Sequence, residues 1–221
     1  WVEGEYAGEE TVTVVTLNGG LITNGEGAGG RAIYSSGTLN TYGINFAGNF
    51  STSAGGAIYS TGIYNDEGSV FVGNTSSDEA GAIKVHGADA TFNGTKFLYN
   101  ASTANRGGAL LATGSDNTLT ATGCYFEGNT ATSHGGAVVL TAHKLATFDS
   151  CTFINNESGS RAGALYGTSN TTTVTISCLF EGNKGVNGGA ISTATTGAYT
   201  DGVEGQTDKG STFKNNTATG V

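Results

Sequence analysis

The sequence contains no proline and no methionine among its 221 residues, and only 12% of them are charged. The lack of proline suits a chain of many paired strands, where every missing N–H would break a ladder. Low charge together with 37% hydrophobic residues excludes a disordered chain, because disorder needs low hydrophobicity and high charge. Cations are scarce: three arginines and six lysines leave a net charge of −9. That balance excludes the basic footprint of a nucleic-acid binder and disfavours an anionic membrane surface. No run approaches the roughly 20 apolar residues that cross a bilayer, so no membrane span is expected in this segment. The first residue is Trp1 and no signal peptide is evident, which reads as a processed or excised segment.

What is present is glycine, 38 of them, set in a repeating phrase. The phrase is FxxN, a short gap, then GGA and an aliphatic residue, as in Phe126-Glu-Gly-Asn129 followed by His134-Gly-Gly-Ala-Val-Val139. Its alanine recurs at Ala32, Ala57, Ala82, Ala109, Ala137, Ala164 and Ala190, at intervals of 25, 25, 27, 28, 27 and 26 residues. Ile33, Ile58, Ile83, Leu110, Val138, Leu165 and Ile191 follow these alanines. The other half of the phrase gives Phe46/Asn49, Phe71/Asn74, Phe97/Asn100, Phe126/Asn129, Phe153/Asn156, Phe180/Asn183 and Phe213/Asn216, with Leu21/Asn24 as a weaker first copy.

Such a period means stacked structural units. Pervasive glycine and threonine argue against helix, at about 0.5–1 kcal/mol per glycine, and the leucine framework of a leucine-rich repeat is missing. The expected fold is all-β, a single right-handed parallel β-helix of about eight coils with 25–28 residues and three short strands per coil. Coils stack at about 4.8 Å, so equivalent residues form columns. The Phe and aliphatic columns should point inward, and the Asn column should sit at a bend, its amides bonded above and below. The variable residues after the aliphatic column, Tyr34, Tyr59, Lys84, Leu111, Val139, Tyr166 and Ser192, should face solvent.

The alternation of GGA-aliphatic with FxxN resembles the repeat of the chlamydial polymorphic outer-membrane proteins and related bacterial and algal β-helix proteins. It covers nearly all of the chain from about Leu21 onward. The resemblance implies a right-handed β-helix on a cell surface, of the kind found in adhesin-type autotransporter passengers. It transfers no catalytic residues, and no outer-membrane barrel accompanies the repeats.

Residues 1–20 differ from the rest, with Trp1, Tyr6 and the acids Glu3, Glu5, Glu9 and Glu10 ahead of a β-like run; they read as an N-terminal cap or a docking segment. Residues 21–221 hold the repeats. An excursion loop is expected near 195–210, where the Phe180–Phe213 interval stretches to 33 residues, and the last repeat is cut mid-phrase after Asn216. An open coil end is a template for further pairing, supplied by another copy stacking end to end or by continuation of a longer chain.

No cofactor is implied. Cys124, Cys151 and Cys178, each two residues before a repeat Phe, form an inward column; a buried thiol ladder and a disulfide between neighbouring coils both fit it. His86, His134 and His143 make no metal signature. Glu79, Arg106, His134 and Arg161 share the position three residues before the repeat alanine, which reads as a solvated charged edge. Gly25–Gly30 fits GxGxxG only by the density of glycine. Glu127 and Glu181 share a column two coils apart with Ile154 between them and are not read as a catalytic pair; no enzyme activity is expected. Among the Asn-x-Ser/Thr sequons, Asn93, Asn170 and Asn215 lie off the ladder and are the candidate glycan acceptors. Asn49, Asn74, Asn100 and Asn156 are ladder positions and less suited. The expected function is an extracellular or cell-surface structural and adhesive solenoid, a fibre-forming subunit stacking head to tail. The alternative is a module that binds or cleaves carbohydrate. Surface glycans and host or cell-surface ligands are the partners in view.

Overall fold

Residues 13–27, 32–203, 206 and 209–220 are described by a computed structural model. Each coil begins where the GGA turn releases the chain into a strand of aliphatic and small residues. In the coil that follows Ala137 the strands are Val138–Thr141, Leu145–Asp149, Thr152–Ile154 and Glu157–Ser158. Val, Ile, Thr and Phe populate them because β-branched and aromatic side chains fit a pleated, half-buried surface. Stacking the coils creates four sheets in which consecutive coils pair in parallel, with seven, eight, eight and seven strands in that order. We call them the aliphatic sheet, the long sheet, the phenylalanine sheet and the short sheet. Each coil therefore has four strands rather than the three expected. The additional one has two residues, as in Thr130–Ala131, too short to show an alternating pattern.

The core runs along the axis as columns. Phe46, Phe71, Phe97, Phe126, Phe153 and Phe180 are fully buried. Successive rings are stacked 4.5, 5.2, 4.7, 4.6 and 4.7 Å apart with nearly parallel planes. Full burial of such a side chain contributes about 1.5–3 kcal/mol, and no single coil could bury it alone. The aliphatic column from Ile58 to Leu165 is equally buried. Phe213, in the last described coil, stacks on Phe180 at 4.9 Å but is 46% exposed.

Beside the phenylalanines runs the asparagine spine. Asn129 donates through Nδ2 to Asn156 Oδ1 and to Phe97 O, both at 2.9 Å. Its Oδ1 accepts from both Nδ2 and the backbone N–H of Asn100 at 3.0 Å. The same four contacts recur at Asn74, Asn100 and Asn156. The left-handed backbone at this bend falls one residue earlier than expected, at Gly48, Gly73, Tyr99, Gly128, Asn155 and Gly182. The Asn is left free to point inward.

The first coil is offset from its expected register by one residue. Ile22 pairs with Phe46, and Leu21 pairs with Asn45. Leu21 is consequently 62% exposed, and Gly25 rather than Asn24 faces the spine, its N–H donating to Asn49 Oδ1 at 3.0 Å. Asn24 instead adopts φ 56°, a role suited to its tolerance of that region.

A second correction concerns the residues after the aliphatic column. Leu111, Val139 and Tyr166 are buried, forming with Ala80 and Ala162 a satellite cluster outside the coil lumen. The chain between the short and aliphatic sheets folds over the outer face of the aliphatic sheet, so a side chain pointing out of the coil meets the turn before it. A Cβ on Gly135 would stand 2.5 Å from Val139 Cγ2, which shows how closely the turn lies on this side chain. Tyr34, Tyr59, Lys84 and Ser192 in the same column are half-buried.

The excursion is shorter than expected. Ala198–Asp201 is a regular strand paired with Thr172–Thr175, so the extra length begins after Asp201 and rejoins the phenylalanine sheet at Thr212. Of the N-terminal segment, residues 1–12 lie outside the described residues, and Val14–Asn18 is the first strand of the long sheet, paired with Thr38–Tyr42.

Candidate functional site

Inside the coil, polar side chains cluster at two places. Asp66 is 4% exposed with no cation beside it. Its Oδ1 accepts from Thr41 Oγ1 and its Oδ2 from Thr95 Oγ1, each at 2.5 Å, and Ser69 N–H donates to Oδ2 at 3.4 Å. The Tyr64 hydroxyl lies 2.8 Å from Thr41 Oγ1. Burial raises the Asp66 carboxyl above its ordinary value, and the donors from Ser69, Thr41 and Thr95 only partly offset it. The arrangement returns near the other end, where Thr175 donates to Asp201 at 2.8 Å beside Tyr199. There burial again pushes the carboxyl up, but hydrogen bonds from Ser211 and Thr175 prevail and lower it. Burial pushes the Tyr199 phenol up to about 12.

Cys124, Cys151 and Cys178 are buried free thiols in adjacent coils. They donate to the backbone carbonyls of Phe92, Ala121 and Phe148 at 3.6, 3.4 and 3.3 Å. The Cys151 thiol, flanked by the other two, is pushed well up and stays protonated. Their column is occupied elsewhere by Ser69, Thr95 and Ser211, which also supply hydroxyls to the lumen.

The charged edge is more enclosed than expected. Glu79 binds Lys84 at 2.7 Å and Arg106 at 2.8 Å, with side-chain exposures of 14%, 16% and 28%. Burial acts to raise the Glu79 carboxyl, but the two cations overcome it and hold it low. His134 meets Tyr166 edge-on at 4.9 Å, and Arg161 donates to the Tyr166 hydroxyl at 2.7 Å. His86 and His143 stand apart from this edge: His86 pairs with Thr113 at 2.7 Å, and buried His143 donates through Nδ1 to Asn117 O at 3.0 Å. Burial lowers the pKa of His143. Among the described residues no three His, Cys, Asp or Glu side chains are grouped to hold a metal. Of Gly25–Gly30, residues 28–30 lie outside the described residues.

On the outer surface Asn93, Asn170 and Asn215 are exposed, whereas Asn49, Asn74, Asn100 and Asn156 are fully buried in the spine. Glu127 pairs in register with Leu98 and Ile154, and Ile154 with Glu181. The column places the two carboxylates two coils apart, at roughly twice the 4.8 Å coil spacing.

Beside Glu127 stands a feature that sequence reasoning missed. Tyr99 occupies the left-handed bend with φ 54° and is 58% exposed. Its ring lies across the next coil's bend, where a Cβ on Gly128 would be 2.5 and 2.6 Å from two ring carbons. Its hydroxyl donates to Glu127 Oε1 at 3.3 Å, and Glu127 raises its pKa. Tyr125 projects from the same face as Glu127, because Phe126 between them turns inward. The available signal was one aromatic residue in a column otherwise made of glycine and asparagine.

The family model for the Chlamydia polymorphic membrane protein repeat matches residues 43–61, 123–141 and 177–194. Each matched stretch spans a phenylalanine strand, its spine asparagine and the GGA turn. No curated protein and no solved structure matches the chain. No helix is long and apolar enough to cross a membrane among the described residues. The chain is a parallel β-solenoid, three stretches of which are similar to the chlamydial polymorphic membrane protein repeat.

Proposed function

We propose that this chain is a cell-surface or extracellular solenoid whose task is to hold a long adhesive face rigid. The repeat type supports a surface location. The observation that carries the reading is the division of labour between the two faces of each strand. The inward position of the phenylalanine sheet is Phe in every coil from Phe46 to Phe213, whereas its outward position runs Asn45, Val70, Lys96, Tyr125, Thr152, Leu179, Thr212. A scaffold with a constant interior and a varied exterior suits display and recognition. Bacteria displaying the chain should adhere to epithelial monolayers more than bacteria displaying an unrelated solenoid; equal adhesion refutes the reading.

The exposed Phe213 supports one addition: a further coil continues the stack, from a second copy or from more of the same polypeptide. Electron microscopy of the purified chain at high concentration distinguishes these. Filaments support stacking between copies, and uniform short rods count against it. We assign no catalytic role.

A further inference from the structure

We infer that the outer face of the phenylalanine sheet around Tyr99, Tyr125 and Glu127 is a binding site for a neutral, hydroxyl-rich saccharide. The inference rests on the adhesive reading above and supplies its site and ligand class.

The starting point is the backbone at Tyr99. Seven other bends at this position use Asn24, Gly48, Gly73, Gly128, Asn155, Gly182 and Asn215, residue types that tolerate positive φ. A tyrosine there is strained, and the scaffold does not need it, since glycine performs the same turn in neighbouring coils. Ser150 and Ser177 also hold positive φ at exposed positions, but at this bend Tyr99 alone departs from glycine and asparagine, and a bulky residue kept in that conformation is a pointer to function. Its consequence is geometric: the ring reaches over the Gly128 bend with its Cδ1 and Cε1 atoms nearest, and most of the residue is open to solvent. Glu127 holds the hydroxyl end, Tyr125 flanks the carboxylate on the same strand, and half-buried Leu98 and Ile154 stand on either side of it.

The chemistry selects the ligand. An aromatic face takes the C–H face of a pyranose ring, and an adjacent carboxylate accepts hydroxyl protons in a charge-assisted hydrogen bond. Glu181, further along the same column, offers a second acceptor to an oligosaccharide running along the axis. A polyanion is repelled by both carboxylates and by a chain of net charge −9. A second copy packed here about a two-fold axis would set Glu127 and Glu181 against like charges. An apolar peptide would bury the carboxylate without donors.

The test is isothermal titration of the purified chain with cellohexaose, laminarihexaose, mannohexaose and chitohexaose, with dextran sulfate as the polyanion control. At least one neutral hexasaccharide should bind and dextran sulfate should not. Tyr99→Gly should weaken binding by about tenfold or more, since it removes the platform. The same variant should melt at an equal or higher temperature, because glycine relieves the backbone. Tyr99→Phe should bind within about threefold of the parent, because the stacking face remains. Tyr42→Ala, at an exposed tyrosine on the long sheet, should bind unchanged. Failure of all four sugars, binding of dextran sulfate in their place, or parental affinity in Tyr99→Gly overturns the inference, and so does a lowered melting temperature in that variant. Adhesion without sugar binding would remove this site and leave the adhesive reading. Sugar binding without adhesion would do the reverse.

Discussion

Replacing Asn129 by alanine tests the spine where it is deepest. The substitution deletes two donor contacts, to Phe97 O and Asn156 Oδ1, and the Oδ1 that accepts two hydrogen bonds from Asn100. The Asn156 oxygen keeps its bond from the backbone N–H of residue 129. Two polar groups are left without partners, the Asn100 N–H and one Asn100 amide proton, and Phe97 O loses one of its contacts. All lie in fully buried surroundings. Each unsatisfied buried group costs about 1–3 kcal/mol, so the loss should be about 2–6 kcal/mol, a large part of a typical total of about 5–15 kcal/mol. The matched control is Asn216→Ala. Asn216 makes comparable contacts with Asn183 and Phe180 but is only half-buried, so water replaces what is lost and about 1 kcal/mol is expected. Urea unfolding followed by circular dichroism measures both. If Asn129→Ala and Asn216→Ala cost the same, or Asn129→Ala costs under 1 kcal/mol, the spine is a passive filler and the reasoning fails.

Asp66 gives a pH signature. Its folded-state carboxyl is raised, so its contribution to stability is fully present below the ordinary carboxylate value of about 3.9 and is lost as pH rises through the folded value. The melting temperature of the parent should therefore fall relative to Asp66→Asn across that window; a constant difference would show that the carboxyl is not perturbed. The three cysteines should resist a thiol reagent in the native chain and react together on addition of guanidinium; reaction of a native thiol would contradict their burial. Val139→Asp should destabilise by about 3 kcal/mol or more, because the charge enters a sealed cluster, whereas Ser192→Asp in the same column should be within about 0.5 kcal/mol in thermal melts. Expressed through a eukaryotic secretory route, the chain should carry glycans at Asn93, Asn170 and Asn215 and none at Asn49, Asn74, Asn100 or Asn156. Glycopeptide mass spectrometry checks this, and unmodified peptides at all three remove the assignment.

Columns were legible in the sequence because stacking requires sameness: one coil's Phe126, Asn129 and Ala137 predict the next coil's. Departures from sameness were harder to read. Leu21 resembled a weak Phe because it sits three residues before Asn24, yet the hydrogen-bonded register places Ile22 in the lumen. Leu111 and Val139 vary along their column and so looked exposed; the turn that covers them is a tertiary contact with no periodic trace. Asp66 leaves no trace in the sequence because its hydroxyl donors come from coils 25 and 29 residues away. Tyr99 was hidden by its glycine neighbours, since the bend it strains lies one residue before the expected position.

The asparagine spine also gives the rod a direction and a gauge. From Asn49 to Asn183 every side-chain amide of the spine donates toward its C-terminal neighbour, so the carboxamide dipoles add head to tail along the axis. A coil arriving at the growing end must present an amide oxygen at one point on its circumference. Slipped by a single residue toward the bend, a coil would offer Gly48, Gly73, Gly128 or Gly182 in half of the described turns, and glycine has no side-chain oxygen to receive the waiting donors. The spine thus checks the alignment of each turn as it is laid down, in a chain whose many threonines and glycines would otherwise let neighbouring turns slide.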